Sequence, residues 1–225
     1  MPKLIMVPTP IGNLGDITLR ALDALRQADL VYCEDTRVTG KLLKHFEISK
    51  PLRSFHQHNE HHTVTRVLDE IRQCEVVVYC SDAGTPGISD PGYLLARACV
   101  EQGVELECLP GATALIPALV MSGLPCERFI FEGFLPHKKG RQTRILAWKE
   151  EPRTVVLYES THRIHKTMSQ MAELLNPERR ACIAREISKL YQEILHGTLH
   201  ELAELTEKRE LKGELVVILE GAHEA

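Results

Sequence analysis

Twelve residues, Ser81 to Gly92 (S-D-A-G-T-P-G-I-S-D-P-G), constrain this chain more than any other stretch. Val76-Val77-Val78-Tyr79 precedes them as a β-branched and aromatic run with the pattern of a buried strand. Tyr93 to Val100 follows with the pattern of a helix. Three glycines (Gly84, Gly87, Gly92) and two prolines (Pro86, Pro91) exclude regular structure between them. Glycine admits positive φ and close backbone approach to a ligand, and proline stiffens the loop. Asp90 is placed to cap the following helix, with Pro91 at its first position. Ordinary βα connections take about two to six residues. A stiff loop of this length at the carboxyl end of a parallel strand is where open α/β sheets bind ligands.

The 225 residues suffice for one large or two small domains, and 44% hydrophobic content supplies a core. No apolar run approaches the roughly 18 residues that cross a bilayer. The apolar run near the N-terminus is short and broken by Pro8, so it reads as a first strand rather than a signal peptide. Seven scattered cysteines (33, 74, 80, 99, 108, 126, 182), with no C-x-x-C pair, fit reduced thiols in a cytoplasmic protein rather than a disulfide or zinc framework. A formal charge of −4 argues against a generally sticky nucleic-acid binder and leaves room for a local basic face.

Strand, loop and helix repeat about five times before Gly123. Strands are expected at Leu4–Val7, Leu30–Cys33, Leu52–Phe55, Val76–Tyr79 and Glu105–Leu109, with helices at Ile17–Ala28, Val38–His45, Tyr93–Val100 and Leu115–Met121. This is the signature of a mostly parallel α/β sheet. After Ser122 to Arg128 the pattern mixes strands more freely, at Phe129–Pro136, Thr154–Tyr158, Ala181–Ala184, Tyr191–Leu195 and Gly213–Leu219. The expectation is two α/β domains, residues 1–123 and 124–225, the second with antiparallel pairs, and a ligand cleft between them.

Two charged or metal-like clusters need weighing. His56, His58, His61 and His62 crowd one segment, but Asn59 reads as a helix cap and Val64, Val67, Leu68 and Ile71 as one helical face, so no metal is assigned. Contact between these histidines and a substrate is the alternative. Lys138, Lys139, Arg141 and Arg144 put four positive charges into seven residues of an acidic chain. At a helix start they oppose the helix dipole, which points to an anionic partner.

The ordered set P-T-P-I-G-N-L-G-D-I-T-L-R-A-L, C-E-D-T-R, S-D-A-G-T-P-G-I-S-D-P-G, P-G-A-T-A, F-E-G-F-L-P, Y-E-S-T-H-R and R-E-I-S-K spans almost the whole chain. It resembles the tetrapyrrole methylase superfamily and, within it, the small-subunit ribosomal RNA methyltransferase I family. The resemblance implies a homodimer of two-domain chains with S-adenosylmethionine in the interdomain cleft. It also implies 2′-O-methylation of a cytidine in 16S rRNA near the decoding centre. Such a fold lacks the G-x-G-x-x-G fingerprint, as this chain does. Carried across residue by residue, the cofactor positions are Pro10, Ala83, Gly84, Thr85, Ile88, Thr113, Ala114, Glu159 and Ile187. The porphyrin-modifying relatives carry G-x-G-P-G and G-G-D-P where this chain has T-P-I-G-N and A-G-T-P, which favours the RNA branch.

A ribose hydroxyl is a poor nucleophile, so a group that takes its proton or hydrogen-bonds it is expected. Glu34, Asp35, Arg37, Asp82 and Lys189 are the polar candidates, with Asp35 favoured as base and Arg37 as a phosphate grip; Lys189 serves only with a lowered pKa. Structural ion pairing within Glu34–Arg37 is the competing explanation. RNA contacts are expected from Lys138, Lys139, Arg141, Arg144 and Arg163, with Lys166 as an addition. The rivals are a methyltransferase acting on a porphyrin-like or cobalamin precursor, and an inactive ribosome-assembly factor.

Overall fold

The computed structural model describes residues 2–55 and 60–222, and residues 60–62 by backbone only. The cap expected at Asn59 and the histidines at 56 and 58 lie outside the described residues, as do the side chains of His61 and His62. Two compact units are present, Met1–Thr113 and Ala114–Ala225.

The first unit is a five-stranded parallel sheet. Its strands are β1 (Lys3–Met6), β2 (Leu30–Cys33), β3 (Leu52–Ser54), β4 (Val76–Cys80) and β5 (Glu105–Cys108), in the order β3-β2-β4-β1-β5. Helices α1 (Leu19–Gln27), α2 (Thr36–His45), α3 (Glu60–Ile71) and α4 (Tyr93–Glu101) connect them. Strand side chains alternate between faces, and both faces are apolar here, as a covered parallel sheet requires. Ile5, Val7, Val31, Cys33, Val78 and Cys80 pack with Ala21, Leu22 and Leu25 of α1 and Leu43 of α2. Leu4, Met6, Leu30, Tyr32, Val77 and Tyr79 pack with Val67, Leu68 and Ile71 of α3 and Leu95 and Cys99 of α4. Thr18 caps α1 by accepting the Ala21 N–H at 3.0 Å.

One local expectation fails. The helix after the central loop starts at Tyr93 with Gly92 as its cap at φ 124°, so Asp90 and Pro91 sit outside it. A Cβ on Gly92 would stand 2.7 Å from Cε1 of the Tyr79 ring, so this position demands glycine both for its φ and for its space.

The second unit begins with α5 (Leu115–Met121), which contacts the last strand, so the division falls after Thr113 rather than after residue 123. Then follow β6 (Phe129–Phe134), α6 (Arg141–Leu146), β7 (Thr154–Ser160), α7 (Ile164–Leu174), β8 (Arg180–Arg185), β9 (Glu193–Thr198), α8 (Leu199–Lys208) and β10 (Glu214–Leu219). The sheet order is β6-β7-β10-β8-β9, with β6 and β7 parallel and the other pairs antiparallel, the mixed sheet expected from the sequence. Val155, Leu157, Ile183, Leu215, Val217 and Leu219 cover one face with Trp148, Ile164, Met168, Met171, Leu199 and Leu202. Thr198 and Glu201 form a reciprocal capping box at the start of α8. Several boundaries shift, most plainly at two starts. The strand expected from Tyr191 begins at Glu193, and the helix expected near Lys138 begins at Arg141 behind Gly140, which sits at φ 85°.

Candidate functional site

The strand order places a switch point in the first unit. The chain leaves β1 for β2 on one side of β4, and leaves β4 for β5 on the other side of β1. The helices that follow these strands lie on opposite faces, α1 on one and α4 on the other. Adjacent parallel strands with such diverging connections leave a crevice at their carboxyl ends, the place where doubly wound sheets take ligands.

Hydrogen bonds lace the loops at that edge. Thr9 and Gly84 exchange both backbone bonds, at 3.0 and 2.9 Å, and the Thr9 hydroxyl donates to the Ser81 carbonyl at 3.2 Å. Pro8 and Pro10 have no N–H, so Thr9 carries the one amide donor of that tripeptide. Thr85 Oγ1 donates to the Ala112 carbonyl at 3.1 Å, which ties the central loop to the loop after β5. Pro10, Ala83, Gly84, Thr85 and Thr113 are thereby gathered onto three joined loops at one sheet edge. Their roles divide, however. Both backbone groups of Gly84 and the Thr85 hydroxyl are engaged in holding the loops together. Half-buried Pro10 and Ala83 and exposed Ile88 remain as surface for a ligand. Thr9 was not singled out from the sequence, although its position between two prolines is the signal that would have found it.

The C-E-D-T-R segment lies beside the same edge. Asp35 caps α2: its carboxylate accepts the Arg37 N–H at 2.8 Å and is gripped by the Arg37 guanidinium, with Nε 3.0 and 3.1 Å from the two oxygens and Nη2 2.6 Å from Oδ2. Arg37 holds that carboxyl down at about 2. With both oxygens engaged by Arg37, the Asp35 carboxylate is held in the ion pair that is the competing explanation for this segment, which argues against it as the base. Asp82, two residues beyond β4, accepts the Asp35 N–H on Oδ1 at 3.0 Å, and its own N–H donates to Glu34 Oε2 at 3.5 Å. Burial pushes the Asp82 carboxyl above its ordinary value, outweighing the Asp35 N–H and the Arg37 charge, which pull it down.

In the second unit, Lys189 stands between Glu186, at 2.8 Å, and Glu214, at 3.1 Å. Burial works to lower its pKa, but the two carboxylates outweigh it and leave the ammonium raised. Lys189 therefore stays cationic and is corrected from base to structural cation. Ile187 is buried, in a turn where Glu186 and Ser188 adopt positive φ, 52° and 67°.

Glu159 is the centre of a buried polar cluster. Its Oε1 accepts from the Ser160 N–H at 2.8 Å and from Arg163, with Nε at 2.8 and Nη2 at 2.7 Å. Its Oε2 accepts the Thr167 hydroxyl at 2.6 Å and stands 3.5 Å from Arg141 Nη2. Arg141, only 3% exposed, also donates to Gln170 Oε1 at 2.8 Å, to the Pro136 carbonyl at 3.4 Å and to the Thr167 hydroxyl. Arg163 reaches the Leu135 carbonyl at 3.0 Å. Arg141 and Arg163 are thus clamps on the end of β6, not phosphate contacts, and the assignment of Arg141 to RNA is corrected by its burial. Glu159 likewise has its carboxylate oxygens taken. Lys138 and Lys139 are exposed just before α6, and Arg144, also exposed, pairs with Glu132 at 3.4 Å.

Known proteins are similar to this chain. The family described as Tetrapyrrole (Corrin/Porphyrin) Methylases matches residues 3–203. The Ribosomal RNA small subunit methyltransferase I of Haemophilus influenzae is 46% identical over 221 residues, covering 97% of this chain and 78% of that protein. The protein of the same name from Thermotoga maritima is 44% identical over 221 residues, covering 98% and 99%. This chain belongs to the ribosomal RNA small subunit methyltransferase I family.

A solved structure shares the fold. Uroporphyrin-III C-methyl transferase from Thermus thermophilus, solved in complex with S-adenyl homocysteine, superposes with a TM-score of 0.68 at 21% identity, covering 97% of both chains. The fold of this methyltransferase I family member is therefore the tetrapyrrole methylase fold. Among its described residues no group of His, Cys, Asp and Glu has the arrangement of a metal site, and no helix is long and apolar enough to cross a membrane.

Proposed function

We propose that this protein transfers the methyl group of S-adenosylmethionine to the ribose 2′-oxygen of a cytidine in 16S rRNA, near the decoding centre. Near-full-length identity to proteins named Ribosomal RNA small subunit methyltransferase I carries this reading. Membership of that family makes the chain an S-adenosylmethionine-dependent methyltransferase of small-subunit rRNA. The choice of a ribose oxygen on a cytidine is our own reading.

The cofactor supplies an electrophilic methyl group, and the residues of the chain then have three tasks. Loops at the carboxyl edge of the first sheet, held rigid by the Thr9–Gly84 and Thr85–Ala112 bonds, bind and orient it. Pro10, Ala83, Ile88, Thr113 and Ala114 are the proposed contacts, with Gly84 and Thr85 shaping the loop; Ile187 remains a contact implied by the family resemblance alone. Exposed Lys138 and Lys139, with Arg144 and Arg37, are the proposed phosphate contacts; Lys and Arg on phosphate position RNA without reading its sequence. Selectivity then comes from RNA shape and a splayed-out nucleotide. Homodimeric assembly and a cytoplasmic location complete the proposal and follow from the family resemblance.

The test offers the purified protein labelled S-adenosylmethionine with either assembled small ribosomal subunits or uroporphyrinogen. Label in the subunits alone is expected, and label in the macrocycle alone overturns the reading.

A further inference from the structure

We infer that Asp82 is the group that takes the proton from the attacking ribose hydroxyl, a role that rests on the function proposed above and assigns its base. The position carries the inference. Asp82 opens the central loop beyond the carboxyl end of β4, one of the two strands at the switch point. Its Oδ1 is fixed by the Asp35 N–H at 3.0 Å, and its own N–H is directed at Glu34 Oε2. Among the described residues Oδ2 has no hydrogen-bond or ion-pair partner, and the residue is half-buried rather than enclosed. One oxygen anchors the carboxylate and the other is open to a donor.

Two of the other candidates, Asp35 and Lys189, are held in ion pairs, and Glu34 faces the Asp82 backbone. The titratable groups around Asp82 are Glu34, Asp35 and Arg37 on the β2–α2 segment and the Cys33 and Cys80 thiols. Both thiols are raised by burial, and stay neutral at physiological pH. Burial raises the proton affinity of Asp82, which favours a base.

The step balances as follows. The ribose O–H bond breaks and its proton passes to Asp82 Oδ2. The ribose oxygen forms a bond to the methyl carbon. The carbon–sulfur bond of the sulfonium breaks with its electron pair staying on sulfur, and Asp82 returns the proton to solvent. Asp82 is deprotonated above its own pKa, so the rate falls as pH drops through that value and is flat above it.

Asp82→Asn tests this, because an amide oxygen still accepts the Asp35 N–H and preserves the anchor. Three quantities are read: methyl transfer to small subunits against pH, with nucleoside analysis of the product; S-adenosylmethionine affinity by calorimetry; and a carboxyl-carbon NMR titration of the free wild-type protein. Asp82→Asn is expected to lose about 10²- to 10⁴-fold in turnover and the acid limb of the profile, with cofactor affinity within about twofold. Asp82→Glu is expected to restore part of the rate, and the Asp82 resonance to titrate above the ordinary value of about 3.9. A variant that keeps more than a tenth of the wild-type rate, or the same acid limb, overturns the proton role while wild-type label in 2′-O-methylcytidine leaves the functional reading standing. Wild-type protein that puts no label in RNA overturns the functional reading and the proton role with it.

Discussion

The backbone N–H of Asp35 donates to the Asp82 carboxylate across 47 residues of sequence, at 3.0 Å. The bond joins the segment after β2 to the loop after β4, neighbouring strands of the parallel sheet. It also separates two aspartates by environment. Asp35, paired with Arg37, is held at about 2, and Asp82, half-buried, is raised. Carboxyl groups pushed apart in this way are suited to different tasks, and this split accords with the proton role proposed for Asp82.

The Asp35 pair makes part of the stability depend on pH. Its folded pKa of about 2 lies below the unfolded value of about 3.9, so the contribution is fully present above about pH 4 and is lost as pH falls through about 2. Asp35→Asn keeps the cap oxygen and removes the charge. The variant is expected to melt below wild type at pH 7, with the gap closing between about pH 4 and pH 2. Thermal denaturation at a series of pH values reads this, and a gap unchanged down to pH 2 contradicts it.

Arg141 is the side chain whose loss should cost most. Removing it leaves Glu159 buried without one of its cationic neighbours and frees the Pro136 carbonyl, Thr167 and Gln170. Arg141→Ala is expected to lower unfolding free energy by about 3–5 kcal/mol, the range for breaking a buried pair. Urea denaturation measures it. A loss under about 1 kcal/mol, typical of an exposed pair, returns Arg141 to the surface.

Lys138 and Lys139 should act the opposite way. Both are exposed, so Lys138→Ala with Lys139→Ala is expected to leave stability near wild type. Binding to small-subunit RNA should weaken, and the slope of log affinity against log salt should shrink by about 1.5, two contacts at roughly 0.7 to 0.9 each. Filter binding over a salt series decides this, and an unchanged slope removes the two lysines from the interface.

Local signals were legible and convergent ones were not. β2 at Leu30–Cys33 and α5 at Leu115–Met121 were read to the residue, because each is an apolar run closed by turn residues at both ends. The central loop was legible because glycine and proline act on the backbone where they stand. Ion pairing within Glu34–Arg37 was weighed from sequence, and the structure makes that pair between Asp35 and Arg37. Arg141 was misread because it sits in a charge run with the look of a solvated surface. Its partners come from β7 and α7, up to 29 residues away, and no spacing rule brings them together. Asp90 was misread as a cap because its proline fits a helix start, while Gly92 takes a φ that stops the helix from reaching back. Lys189 was legible only in its own segment, where Glu186 precedes it by three residues. Glu214, from β10, was beyond reach of the sequence.

The most direct measurement is transfer of a labelled methyl group from S-adenosylmethionine to small ribosomal subunits that lack ribose methylation, followed by nuclease digestion and chromatography of the nucleosides. Label that co-migrates with 2′-O-methylcytidine, and disappears when the acceptor subunits are already methylated, is the expected result. Label in a base-methylated nucleoside, or none in RNA with the cofactor bound, contradicts it.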